Sequence, residues 1–196
     1  MEKHSKNIET LAAEGIASSL ETPDKCIIVD TCLGNDKERH IPSWNKLQTR
    51  FLEDLEIAGY QTKDIDTVLC THLHTDHVGW NTVLVNDKWE PTFKHADYLF
   101  GKEEWNYTEK QLGNPLYAEF INDSIIPIID SGLVRFVELD ERICEEIILL
   151  STLGDTPGQG NKKKKSERQQ RGRTRGGLNH TSKRQETHTV HYTTQQ

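Results

Sequence analysis

Apolar residues are scarce in this chain. Only 34% of its 196 residues are hydrophobic, where globular chains hold about 45–50% with glycine counted. No apolar run approaches the ~20 residues of a membrane span. Met1-Glu2-Lys3-His4-Ser5 leads into no apolar segment, so no secretory signal is expected. The four cysteines, Cys26, Cys32, Cys70 and Cys144, form no C-x-x-C pair and no dense cluster. That spacing argues against a zinc ribbon or a disulfide scaffold. Cys26 and Cys70 lie inside apolar runs, where a free thiol behaves as a small hydrophobe. A reducing, cytoplasmic location is the expectation. There is no internal repeat.

The shortage is uneven. Residues 161–196 carry ten Lys/Arg and two Asp/Glu, a balance of +8, while the rest of the chain stands at −15. In those last 36 residues the hydrophobic set is Leu178, Val190 and Tyr192. Such a stretch cannot bury enough apolar surface to offset chain entropy. It predicts a foldable domain over 1–159 and a disordered basic tail over 160–196.

Within the foldable part, Leu11 to Ile16 suggest a short helix. Cys26-Ile27-Ile28-Val29 reads as a buried strand ending at Asp30. Residues 32–45 read as a loop. Leu47, Phe51, Leu55 and Ala58 recur at helical spacing, predicting a helix from Lys46 to Ala58 closed by Gly59. Thr67-Val68-Leu69-Cys70 is a second short strand. Val83-Leu84-Val85, Asn86-Asp87 and Lys88-Trp89-Glu90 predict a hairpin, and Asp97 to Phe100 another strand. Lys102 to Gln111 and Leu116 to Ile129 read as helices, the second interrupted near Pro127. Leu133 to Leu139 and Ile147 to Ser151 read as strands. The mixture predicts an α+β arrangement of sheets covered by helices.

The strand at Thr67 runs directly into His72-Leu73-His74-Thr75-Asp76-His77, three imidazoles and one carboxylate within six residues. Imidazole with carboxylate suits zinc, and also iron or manganese. An extended chain would put His72, His74 and Asp76 on one side and His77 on the other. A bend after Asp76 would bring them together. The plain alternative is a His-rich polar surface loop. Trp44, Trp89 and Trp105 could line a pocket, although isolated aromatics usually belong to a core.

The stretch Val68-Leu69-Cys70-Thr71-His72-Leu73-His74-Thr75-Asp76-His77-Val78-Gly79-Trp80-Asn81 resembles the metallo-β-lactamase-fold hydrolases. Its Gly79-Trp80-Asn81 ending is most similar to the branch containing lactonases and organophosphate hydrolases. Ile28-Val29-Asp30-Thr31, Gly34-Asn35-Asp36-Lys37, Phe51-Leu52-Glu53-Asp54-Leu55 and Trp89-Glu90-Pro91-Thr92-Phe93 fit the same branch. The resemblance implies an αββα sandwich with a two-metal site, two zinc ions being expected and iron or manganese being alternatives. By that resemblance His72 and His74 bind the first metal, and Asp76 and His77 the second. Asp76 also acts catalytically, positioning the nucleophile or protonating the leaving group. Asp30 orients a ligand histidine from behind; its alternative role is a strand-end cap of backbone groups. The implied substrate is a small lactone, other ester or phosphotriester. No membrane partner is expected, and nucleic acid is expected only through the basic tail.

The chain departs from the family after Ser151. A segment like T-P-G-H-T-P-G-H should supply a third histidine ligand. Here it reads Thr152-Leu153-Gly154-Asp155-Thr156-Pro157-Gly158-Gln159. Asp155 stands at the ligand position and is the substitute ligand in this reading. Each of the three mismatches needs one base change, and patternless sequence follows at once. The pattern predicts a frameshifted reading from about residue 160, in a chain that holds roughly the N-terminal half of the sandwich. Weak metal binding, poor solubility and little activity are then expected, as for a non-catalytic remnant. The rival is a genuine tail: Arg171-Gly172-Arg173-Thr174-Arg175-Gly176-Gly177 resembles RGG-type RNA-binding segments. The coding DNA separates the two. An alternative frame after codon 160 should restore strands with Asp and His ligands if the frame has shifted.

Overall fold

The computed structural model describes residues 7–9, 18–21, 25–138, 141–144, 147, 149–151, 160 and 161. The expected helix at 11–16, Asp155 and residues 162–196 of the basic tail lie outside the described residues; the first two residues assigned to the tail, Gly160–Asn161, instead pair antiparallel with Leu150–Ser151.

A six-stranded sheet organises the chain. Its strands are β1 (Asn7–Glu9), β2 (Ser18–Glu21), β3 (Cys26–Val29), β4 (Thr67–Leu69), β7 (Asp97–Gly101) and β8 (Val134–Val137), in the order β1-β2-β3-β4-β7-β8. The first three are antiparallel neighbours, and β3, β4, β7 and β8 run parallel. Parallel strands need crossovers. Helix α1 (Phe51–Ile57) lies between β3 and β4. Helices α3 (Lys102–Glu109), α4 (Pro115–Phe120) and α5 (Ile126–Asp130) lie between β7 and β8.

The sheet is apolar on both sides, which explains why β3 reads as a continuous apolar run. Ile28, Val68, Tyr98 and Phe100 pack with Phe51 and Leu55 of α1 and with Phe120, Ile121, Ile125 and Ile128. Ile27, Val29, Leu69, Leu99 and Val137 form a second cluster with Ile147 and Leu149. Each fully buried side chain of this kind contributes roughly 1.5–3 kcal/mol.

The predicted hairpin is β5 (Thr82–Val85) with β6 (Lys88–Pro91). Asn86 and Asp87 have φ of +48° and +60°, the two left-handed residues of a type I′ turn. The predicted helix at 46–58 starts later, at Phe51. Tertiary hydrogen bonds take the missing turn. Lys46 N donates to Lys37 O at 2.8 Å, Asp36 N to Leu47 O at 3.1 Å, and Thr49 N to Asn35 Oδ1 at 2.7 Å. Lys46, at φ +52°, cannot be helical. Gly59 ends α1 as expected, at φ +96°.

The interruption near Pro127 is a π-helical turn, Ile121–Ile125. Pro127 has no N–H to offer the carbonyl four residues earlier, at Asp123. That carbonyl instead accepts from Thr82 Oγ1 and, at 3.3 Å, from Lys37 Nζ. The Asp123 carboxylate holds Arg39 by two bonds of 2.6 and 3.0 Å and lies 3.5 Å from Lys37 Nζ. Lys37 Nζ also donates to Thr82 Oγ1 at 2.8 Å and sits 3.8 Å from the centre of the Trp89 ring. All three charged residues are buried.

Burial pushes the Lys37 ammonium down to about 8, with the Asp123 carboxylate opposing and Arg39 assisting. Between about pH 8 and 10.5 the unfolded chain therefore binds more protons at Lys37 than the folded one. Stability gained through this group rises with pH across that window. Comparing unfolding free energies of the unaltered chain and Lys37→Met isolates it. The difference should grow by up to about 3 kcal/mol in favour of the unaltered chain. A difference flat from pH 8 to 10.5 would show that Lys37 is not strained by burial.

Candidate metal centre

The parallel register carries the motif and Asp30 out of the sheet together. Val29 pairs with Leu69, and Asp30 N donates to Leu69 O at 2.9 Å. Ligand sites of parallel sheets form at this end of the strands. His74 is extended and caps a one-turn helix, α2 (Thr75–Val78). That turn swings His77 back toward the other imidazoles. The His72 ring centre lies 3.9 Å from that of His77 and 4.7 Å from that of His74. The convergence foreseen from a bend after Asp76 thus comes from a helical turn beginning one residue earlier.

The loop after β3 supports this arrangement. Thr31 N donates to His77 O at 2.7 Å, Gly79 N to Cys32 O at 2.7 Å, and Trp80 N to Thr31 O at 2.8 Å. Asp30, Cys32, Gly34 and Asp36 all have positive φ, from +51° to +79°. The alternation lets the loop hug the 77–80 backbone. Trp80 stacks on Phe51 with ring centres 5.4 Å apart, tying the motif to α1.

Asp30 makes both kinds of contact considered from the sequence. Its Oδ1 accepts from Thr71 N at 2.8 Å, and both oxygens accept from Thr71 Oγ1 at 3.0 and 2.8 Å. Its Oδ2 lies 3.0 Å from His77 Nδ1, an ion-pair distance without an aligned hydrogen bond. Asp76 Oδ2 is 3.5 Å from His77 Nε2.

These contacts set the charge states. Burial pushes the His72 imidazole down to about 4, and the neighbouring His77 and His74 rings outweigh nothing of that; they add to it. Burial also acts to raise the Asp76 carboxyl, but the His77 contact overrides it and holds it at about 2. For His77 burial acts downward, yet the Asp30 and Asp76 carboxylates carry it up to about 10. At neutral pH His72 offers a lone pair, Asp76 a charge, and His77 a proton that a divalent cation would have to displace.

In donor chemistry the four residues fit a divalent cation. Among the described residues, however, no three His, Cys, Asp or Glu side chains form a ready-made ligand cluster. His72, His74, Asp76, His77 and Asp30 are gathered at one place; Asp155 lies outside the described residues.

A cleft of about 260 Å³ opens beside the motif. His74, Thr75 and Asp76 line one part of it, and Arg39, His40 and Trp44 another. Leu116, Tyr117, Glu119 and Phe120 of α4 complete it. Of the three tryptophans considered for a pocket, Trp44 lines this cleft. Trp89 faces Lys37, and Trp105 packs 6.2 Å from the Phe136 ring. The sequence reading did not single out Lys37, Arg39 or Asp123 as interacting charges. Its available signal was Pro127 inside a helical pattern, with a carboxylate four residues before it.

The family model of the metallo-β-lactamase superfamily matches residues 17–161. The chain belongs to that superfamily. An N-acyl homoserine lactonase from a Bacillus species is 25% identical over 151 residues, covering 71% of this chain and 53% of that protein. A probable metal-dependent hydrolase from Staphylococcus aureus superposes with a TM-score of 0.61 at 20% identity, over 74% of this chain and 51% of that one. AidC, a dizinc quorum-quenching lactonase solved with a homoserine product, gives 0.55 at 22%, over 74% and 50%. The hydrolase AbOPH gives 0.57 at 23%, over 74% and 49%. This metallo-β-lactamase-superfamily chain spans about half the length of the relatives it matches. Its described part holds the six-stranded sheet, with helices packed against one face, and two two-stranded sheets.

Proposed function

We propose that this chain carries the histidine-rich half of a metal-dependent hydrolase acting on a lactone, other ester or phosphotriester. The observation behind this reading is the convergence of His72, His74, His77 and Asp76 at the ends of parallel strands, beside a cleft. The N-acyl homoserine lactonase relative and the lactonase AidC support the lactone part of this reading. His72 and His74 would hold one metal, and Asp76 and His77 a second. Further ligands would come from outside the described residues, Asp155 among them. A divalent metal there supplies Lewis acidity and lowers the pKa of water toward about 7. Asp30 keeps the His77 ring oriented through Oδ2, and Thr71 keeps Asp30 in place. The Asp76 carboxylate would position the attacking water, or help protonate the leaving oxygen. The cleft receives the rest of the substrate and sheds its water. The location proposed with this reading is a reducing cytoplasm, on the cysteine spacing of the sequence.

The test is metal content and hydrolysis by the full chain. Zinc-loaded protein should bind zinc above the level of a His72→Ala/His74→Ala variant. Its opening of N-hexanoyl-homoserine lactone, followed with a pH indicator, should be detectable but slow, because ligands from the other half of the sandwich are missing from the described site. A chelator should abolish this opening, and added zinc restore it. Asp76→Asn should slow it by at least about 10²-fold. Zinc binding equal to that of the double variant would refute the reading.

A further inference from the structure

Two walls of the cleft come from segments far apart in sequence. Arg39, His40 and Trp44 lie on the loop before α1; Leu116, Tyr117, Glu119 and Phe120 lie on α4. Two ties join these walls. Arg39 forks onto Asp123 at 2.6 and 3.0 Å, with side chains 2% and 11% exposed. Nearer the rim, Glu119 Oε2 accepts from His40 N at 3.1 Å and lies 3.3 Å from His40 Nδ1.

A buried ion pair is a poor source of stability, because desolvation cancels much of its attraction. Its planar two-bond geometry is instead a strong constraint on direction. Asp123 sits in the π-helical turn directly after α4, so its angle is tied to the wall that carries Tyr117 and Phe120. Lys37, two residues before Arg39, grips the same turn through the Asp123 carbonyl. The spacing between Trp44 and α4 therefore depends on the Arg39 fork. Trp44, Leu116, Tyr117 and Phe120 give that gap an apolar lining.

We propose that Arg39 and Asp123 are positioning residues that set the width of the cleft, and through it the preference for the apolar, acyl part of the substrate. This rests on the hydrolase reading above. Lysine at 39 keeps the charge and loses the fork.

The experiment measures binding of N-butanoyl- and N-decanoyl-homoserine, the ring-opened products, to the zinc-loaded full chain by calorimetry. Opening of the corresponding lactones is measured in parallel. The unaltered chain should favour the decanoyl compound. Arg39→Lys should reduce that preference about tenfold, mostly through Kd and KM rather than kcat, with zinc content unchanged. Arg39→Met/Asp123→Leu removes both charges together and should show the same loss of preference, whichever variant is the better folded. Preferences within about twofold of the unaltered chain in both variants would overturn the inference. An unaltered chain that opens both lactones without distinguishing them would also overturn it, leaving the hydrolase reading intact. A zinc-loaded chain that neither binds nor opens either compound would refute the lactone reading and this inference with it.

Discussion

Gly79→Ala is expected to collapse the candidate metal centre. A Cβ at this position would lie 1.9 Å from Leu33 C, 2.0 Å from Leu33 O and 2.4 Å from Gly34 N. All three are backbone atoms, so no side chain can swing aside. Gly34 faces the same contact: its own Cβ would meet the Gly79 carbonyl at 2.7 Å, and its φ is +79°. The loop after β3 and the turn after α2 touch backbone to backbone here. Relief requires the loop to back away, breaking the bonds from Gly79 N to Cys32 O and from Trp80 N to Thr31 O. His77 and Asp30 would then part, since Thr31 N holds the His77 carbonyl at 2.7 Å. A loss of about 4 kcal/mol or more in unfolding free energy is expected, with zinc uptake lost as well. Urea denaturation and zinc content per chain measure both. Ile57→Ala, on a residue 74% exposed, is the matched control and should fall within about 0.5 kcal/mol of the unaltered chain. A Gly79→Ala chain with an unchanged midpoint would disprove the tight approach.

Asp123→Ala should be nearly as damaging, for an electrostatic reason. The carboxylate stands between two buried cations, 2.6 Å from Arg39 Nη1 and 3.5 Å from Lys37 Nζ. Truncation leaves both cations buried without a counter-charge. Breaking a buried pair this way typically costs about 3–5 kcal/mol. Arg39→Met/Asp123→Leu leaves only Lys37 without its counter-charge where Asp123→Ala leaves two cations, so the double variant is expected to be the more stable. The ordering of unfolding midpoints checks this. If Asp123→Ala is the more stable of the two, the cluster does not carry uncompensated charge after truncation.

Much of the architecture was readable because it is written locally. Alternation and apolar runs marked β3, β4 and β7. Asn86-Asp87 marked the hairpin, and Gly59 the end of α1. The helix start at Lys46 failed because Lys37 O, Asn35 Oδ1 and Asp36 N claim the backbone of Lys46, Thr49 and Leu47. Helical periodicity cannot see competing hydrogen-bond partners on a different stretch of the loop, such as Lys37 for Lys46 and Asn35 for Thr49. Pro127 announced an interruption, but a π-helical turn closed by Thr82 and Lys37 required those residues to be near it in space.

What the sequence determined by itself is the donor chemistry of the site. Three histidines and an aspartate within one hexapeptide after a strand stay close in any compact fold, because the chain between them is so short. The family of the chain was legible in the same stretch. Only the tertiary structure decided how the donors are held and what stands beside them. Asp30 reaches His77 across 47 residues through the parallel pairing of β3 and β4. Arg39 reaches Asp123 across 84 through a helix interrupted at a proline. Contacts of that separation depend on which faces of the sheet and helices bury, and burial is a property of the whole packed chain.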